Sequence, residues 1–157
     1  MPARRVDLGR RSCVAAALWT VAPWGHAAGL PPARNLAAEA DLAHGRGQPL
    51  LVMVSLHGCV YCERVRRSEL IPRLQAGQPV VQVDMRSSQM LLDWQGRDVS
   101  HDDLVRRWKV GIAPTVLFFS RTGRELAERM EGAYSRDFYG AYLDERLDQS
   151  RQRLVSR

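Results

Sequence analysis

An apolar run from Leu50 to Leu56 stops abruptly at His57-Gly58, and two cysteines, Cys59 and Cys62, follow at once. No polar alternation interrupts the run, which suits a strand covered on both faces better than one with a wet side. After the break, the i, i+3 spacing puts both sulfurs on one side of a first helical turn, close enough to be joined. A thiol at a helix N-terminus faces unpaired N–H groups and the positive end of the helix dipole, which favour thiolate over thiol. Cys59 is thereby the expected nucleophile. Cys62, a turn further in, is the expected resolving thiol, which attacks a mixed disulfide formed at Cys59.

Two other readings of the pair stand beside this one. A structural disulfide would close so short a loop that it removes little unfolded-state entropy, since that stabilisation grows with loop length. A metal site would have half of a tetrahedral shell in Cys59 and Cys62 and would draw on His57; no second cysteine pair exists, and His44, His57 and His101 show no regular ligand spacing.

The first 28 residues read as a secretory signal: Arg4, Arg5, Arg10 and Arg11, then an apolar stretch from Cys13 to Val21, then Gly25-His26-Ala27-Ala28. The apolar stretch is too short to span a bilayer. Cleavage near Ala27 or Ala28 would remove one of the three cysteines, leaving Cys59 and Cys62 as the only pair. It would also take away four Arg and one Asp, leaving a formal excess of about three positive charges. So small an excess, spread along the chain, gives no argument for a nucleic-acid partner. About 129 residues remain, enough for one domain with its own core.

The expected organisation is a signal over 1–28, a leader and short helix over 29–48 (the helix at Leu36 to Ala43), a main domain over 49–153 and a tail over 154–157. From Cys59 a helix is expected to about Ala76 with a kink at Pro72, then a strand from Val80 to Met85, parallel to the first. Ser87 to Ser100 reads as a loop with one helical turn. Ser100 is placed to cap a helix reaching about Trp108. Gly111 to Phe119 contains an apolar strand opened by Pro114, and the turn at Arg121 to Arg124 leads into an antiparallel strand from Glu125 to Glu131, with Gly123 able to take positive φ. A last helix from Ser135 carries Tyr139, Leu143, Leu147 and Leu154 on one apolar stripe, with Phe138 and Tyr142 beside them and its charges on a solvated face.

This order of elements, with Cys59-Val60-Tyr61-Cys62 followed downstream by Ala113-Pro114-Thr115, resembles the thioredoxin-like superfamily over roughly Leu36 to Arg153. The resemblance implies an α/β thioredoxin fold, with a central mixed sheet of four to five strands flanked by helices. It implies that Pro114 is cis and packs against the disulfide, that Ala113 offers its backbone to a bound peptide, and that Val60 and Tyr61 also meet substrate. The signal-like N-terminus, Trp94-Gln95-Gly96 and the Phe118-Phe119-Ser120-Arg121-Thr122-Gly123 stretch resemble the exported members found in Gram-negative bacteria, which implies a periplasmic home. The implied activity is reduction of disulfides in exported client proteins by thiol-disulfide exchange at Cys59 and Cys62, without a cofactor. The implied partners are disulfide-bearing periplasmic clients and a membrane electron donor, and the implied state is a monomer.

The departures from cytoplasmic thioredoxins are Gly58 before the first cysteine, Val60-Tyr61 between the pair, and Met53 where those proteins hold a buried Asp. His57 and Glu63 are candidate modulators. His57 is either a thiolate partner or an exposed turn residue, and Glu63 either complements the helix N-terminus or accepts the Cys62 proton. Arg64, Arg66 and Arg67 are expected to face solvent and could steer an acidic partner. A disulfide oxidant or isomerase, a copper-handling module and an interaction module with incidental cysteines are the alternative functions.

Overall fold

The computed structural model describes residues 29–155, so the expected signal over 1–28 lies outside the described residues. Helix α1 spans Leu36–Gly45, two residues longer than the spacing predicts, and Asn35 caps it by accepting the Ala38 N–H at 3.0 Å. Strand β1 is Leu50–Ser55, every residue of it buried. Its odd and even positions feed two separate cores. Leu50, Val52 and Val54 join α1, Val81 and Val83, Leu117 and Phe119 on one face, whereas Leu51 and Met53 join Cys62, Val65, Val116 and Phe118 on the other. An unalternating apolar run is what such a strand requires.

After β1 come helix α2 (Val60–Val65), a π-helical turn (Arg66–Leu70) and helix α3 (Ile71–Gln75). The expected proline kink takes this form: the Ile71 N–H reaches back to the Arg66 carbonyl, and the widened turn takes up the helix just where the Pro72 ring would crowd the Ser68 carbonyl. Strand β2 (Val80–Asp84) pairs with β1 in parallel. Its other edge is covered by the leader, which bridges Pro32 to Gln82.

Three readings of the sequence need correction. Ser87 to Ser100 is no loop with a helical turn but a hairpin, β3 (Met90–Leu92) against β4 (Asp98–Ser100). The return strand is only β6 (Met130–Glu131), with Glu125 touching Phe119 by a single bridge. Phe138 and Tyr142 are exposed, off the stripe on which Tyr139, Leu143 and Leu147 are buried. Helix α4 (His101–Arg107) is capped by Ser100 as expected, strand β5 is Thr115–Phe119, and α5 is Arg136–Val155. The sheet order is β2-β1-β5-β6, with β5 antiparallel to both neighbours: a mixed four-stranded sheet with helices on its faces.

The β3–β4 hairpin is tied by one buried carboxylate. Asp93 accepts the N–H groups of Gln95 at 2.9 Å and Arg97 at 3.0 Å, and the Arg97 and Arg107 guanidiniums also reach it. Burial pushes this acid upward, but the two N–H groups and Arg97 outweigh it and hold it below the usual 3.8. A lowered folded value means that the stability it contributes is complete above 3.8 and is lost as pH falls through the folded value. Asp93→Ala, which strands both N–H groups, is expected to cost about 2–3 kcal/mol at neutral pH. The gap between the urea midpoints of the two proteins should narrow as pH falls below 3.8, and a gap of constant size would reject the assignment.

Candidate active site

The site is built where β1 gives way to α2. Gly58 takes φ +73°, a left-handed conformation that suits glycine, and turns the chain so that Cys59 becomes the N-cap of α2. The Cys59 sulfur accepts the Cys62 N–H at 3.0 Å, as a serine oxygen would at the same position. The two sulfurs are joined as a disulfide, with Cα atoms 5.2 Å apart. Their surroundings differ: Cys62 is fully buried among Met53, Val65 and Leu70, while Cys59 is half-buried and open on one side. Of the pair, only Cys59 can be reached by another sulfur.

The loop before β5 closes the second side. The Ala113–Pro114 peptide is cis, and the Ala113 carbonyl lies 4.0 Å from the Cys59 sulfur. This loop is held at both ends. The Thr115 hydroxyl donates to the Ile112 carbonyl at 2.8 Å, and the Gly132 N–H donates to the Pro114 carbonyl at 2.7 Å. Thr115 is completely buried; it stands in the Ala113-Pro114-Thr115 motif, but the sequence reading assigns its hydroxyl no role. Val60, Tyr61 and Ile112 stand exposed around the disulfide.

His57 is an exposed turn residue. Glu63 pairs with both Arg67 and Arg66, and these bonds, Arg67 foremost, hold its carboxyl below the usual carboxylate range. So paired, it is a poor acceptor for the Cys62 proton. Met53, fully buried, offers no replacement base.

Of the three arginines expected in solvent only Arg67 is exposed; Arg64 is half-buried, and the fold engages Arg66 most fully. Its side chain, 15 % exposed, donates to Ser55 Oγ and to Gln82 Oε1, each at 2.9 Å, besides its bond to Glu63. It thereby joins the end of β1 and the middle of β2 to the helical segment that follows the cysteines. The signal lay in its position four residues after Cys62, on the same helical face. Beside Cys59, between α2 and the turn after β2, lies an open hollow of about 1150 Å³. Among the described residues no group of three or more His, Cys, Asp or Glu is placed to hold a metal ion.

A mixed sheet in this order, with a Cys-x-x-Cys disulfide capping the helix after its first strand, defines a thioredoxin-fold redox protein. Residues 36–147 match the thioredoxin-like domain family, and the chain belongs to it as a thioredoxin-like oxidoreductase carrying the Cys59–Cys62 disulfide. Among solved structures, a thioredoxin-fold protein from Helicobacter pylori matches with TM-score 0.53 and 18% identity, over 68% of this chain and 73% of its own. The DsbH oxidoreductase matches with TM-score 0.53 and 17% identity over 92% of this chain and 95% of its own. The oxidised C-terminal domain of Neisseria meningitidis DsbD matches with TM-score 0.50 and 15% identity, over 70% and 90%. At these identities the likeness is one of fold. Among curated proteins, none matches the sequence significantly.

Proposed function

We propose that this protein is an exported protein-disulfide reductase, working in the periplasm on disulfides of client proteins. The observation that carries the reading is the unequal burial of the two sulfurs, one open and one sealed in the core. In the reduced protein the Cys59 thiolate attacks a client disulfide, forms a bond to one client sulfur and releases the other as a thiolate. Cys62, deprotonated, then attacks the Cys59 sulfur, so the Cys59–Cys62 bond forms and the mixed disulfide breaks. The client gains two electrons and, from solvent, two protons. The protein is left oxidised and is re-reduced by a membrane thiol-disulfide donor. The helix N-terminus and the Cys62 N–H favour the attacking thiolate. The Ala113 carbonyl beside Cys59 is positioned to accept an N–H from the client backbone, with Pro114, Val60 and Tyr61 completing the contact surface. Export rests on the basic-then-apolar pattern of residues 1–28.

The reduction potential of the Cys59/Cys62 couple tests the direction. Equilibration of the protein from Gly29 onward with glutathione or dithiothreitol buffers is expected to give a value of about −270 mV, whereas one of about −120 mV would mark an oxidant and overturn the reading.

A further inference from the structure

The hollow beside Cys59 carries an excess of positive charge that the fold does not use. Its lining includes the side chains of Arg64, Arg66, Arg67 and Arg86 against the carboxylates of Glu63 and Asp84. Arg66 and Arg67 are both committed to Glu63, and Arg66 is further tied into the hollow floor by Ser55 and Gln82. The floor is thus internally satisfied. Asp84 accepts from the Gln82 amide at 2.7 Å. Arg64 and Arg86 differ: both line the hollow, and among the described residues neither guanidinium has a carboxylate partner.

Neither cation is neutralised: the Arg64 side chain rests on an aromatic ring, and Arg86 is fixed through its backbone. The Arg64 guanidinium lies over the Tyr61 ring, 5.1 Å from its centroid, a contact that positions the charge and leaves it intact. Arg86 has φ 59°, a left-handed conformation that disfavours any side chain bearing a Cβ. Its backbone is pinned there, with its N–H donating to Asp102 Oδ1 at 2.7 Å and the next carbonyl, of Ser87, accepting the Asp102 N–H at 3.1 Å. Glycine would relieve the turn. Arginine instead supplies a cation on the wall opposite α2, across the hollow from Arg64.

We propose that the client segment next to the attacked disulfide is acidic and lies in this hollow, its carboxylates meeting Arg64 and Arg86. The proposal rests on the reductase reading and names its substrate class. A polypeptide reaching Cys59 from the Ala113 side would extend past Val60 into the hollow, so charge within a few residues of the client cysteine is what these two arginines read. Two separated guanidiniums around an open hollow suit an extended peptide with spaced carboxylates.

The test uses the protein from Gly29 onward, kept reduced, with three disulfide-linked peptides that carry Asp, Ser or Lys around the cysteine, and with neutral 2-hydroxyethyl disulfide as reference. The expected result is a kcat/KM ratio of Asp to Lys peptide of about ten or more at low salt, collapsing toward one near about 1 M salt. Arg64→Glu/Arg86→Glu should invert the ratio, and Arg64→Gln/Arg86→Gln should flatten it, whatever happens to the absolute rates. A ratio near one in the unmodified protein, or one that survives both double variants, overturns the proposal. Failure to reduce 2-hydroxyethyl disulfide and all three peptides would instead overturn the reductase reading, and with it the substrate class.

Discussion

Replacing Cys59 by serine is expected to reduce disulfide turnover by at least about a thousandfold, to the rate of the buffer thiol alone. Serine preserves the cap, because its oxygen can accept the Cys62 N–H that the sulfur accepts at 3.0 Å, so the helix start should survive. The nucleophile does not survive. The remaining thiol, Cys62, is fully buried behind Val65 and Met53 and cannot meet a client sulfur without local opening.

The Cys62→Ser protein should behave differently, and the contrast identifies the order of attack. It keeps the open sulfur and should react once with a peptide disulfide, then stall as a mixed disulfide visible by intact mass as one added peptide half. Excess dithiothreitol should release it. If the adduct instead accumulates in Cys59→Ser, the assigned roles are reversed. If neither variant forms an adduct and both turn over normally, dithiol exchange is not the protein's chemistry. Because Glu63 is tied up by Arg66 and Arg67 and Met53 carries no proton acceptor, the second step depends on solvent reaching the Cys62 proton.

The parts of this molecule legible in the sequence are those whose physics is local. The strand β1 announced itself because both of its faces are core, which forces an unbroken apolar run, and the cysteine spacing placed both sulfurs at the turn that follows. Pro114 was legible as a proline at the mouth of an apolar strand. What escaped depends on partners distant in sequence. In the β3–β4 hairpin each strand has three residues and only one of them, Leu91 or Val99, is buried. That leaves too little pattern to register as a strand. The hairpin exists because Asp93 organises its turn and because the leader joins it, the Leu92 N–H reaching the Arg34 carbonyl at 2.9 Å. Similarly, three neighbouring arginines look alike on paper. Only Arg66 falls on the face toward Ser55 and Gln82, and that face is defined by strands that the helix meets in the folded chain. On α5 the apolar stripe was read one residue too wide. Phe138 and Tyr142 each precede an inward residue by one position, about 100° around the helix, which is enough to leave them in solvent.

Gly123→Ala is the substitution expected to cost most stability among the glycines. Gly123 has φ +76°, and a Cβ built there would fall 2.6 Å from the Trp94 ring. That ring cannot readily withdraw, for it packs against Phe119 at 5.1 Å between ring centroids, and Phe119 is in β5 at the centre of the sheet. The left-handed penalty and the overpacking together come to about 3 kcal/mol. For a domain of this size that is a drop in melting temperature of about 10 °C. The two contributions separate by comparison with Gly96, which has nearly the same φ, +73°, but open space where its Cβ would go. Gly96→Ala should pay only the conformational part, about 1 kcal/mol. A Trp94→Leu background should recover part of the Gly123→Ala loss while leaving the Gly96→Ala loss unchanged. Equal losses at the two glycines would mean that Trp94 does not close over the Ser120–Gly123 turn.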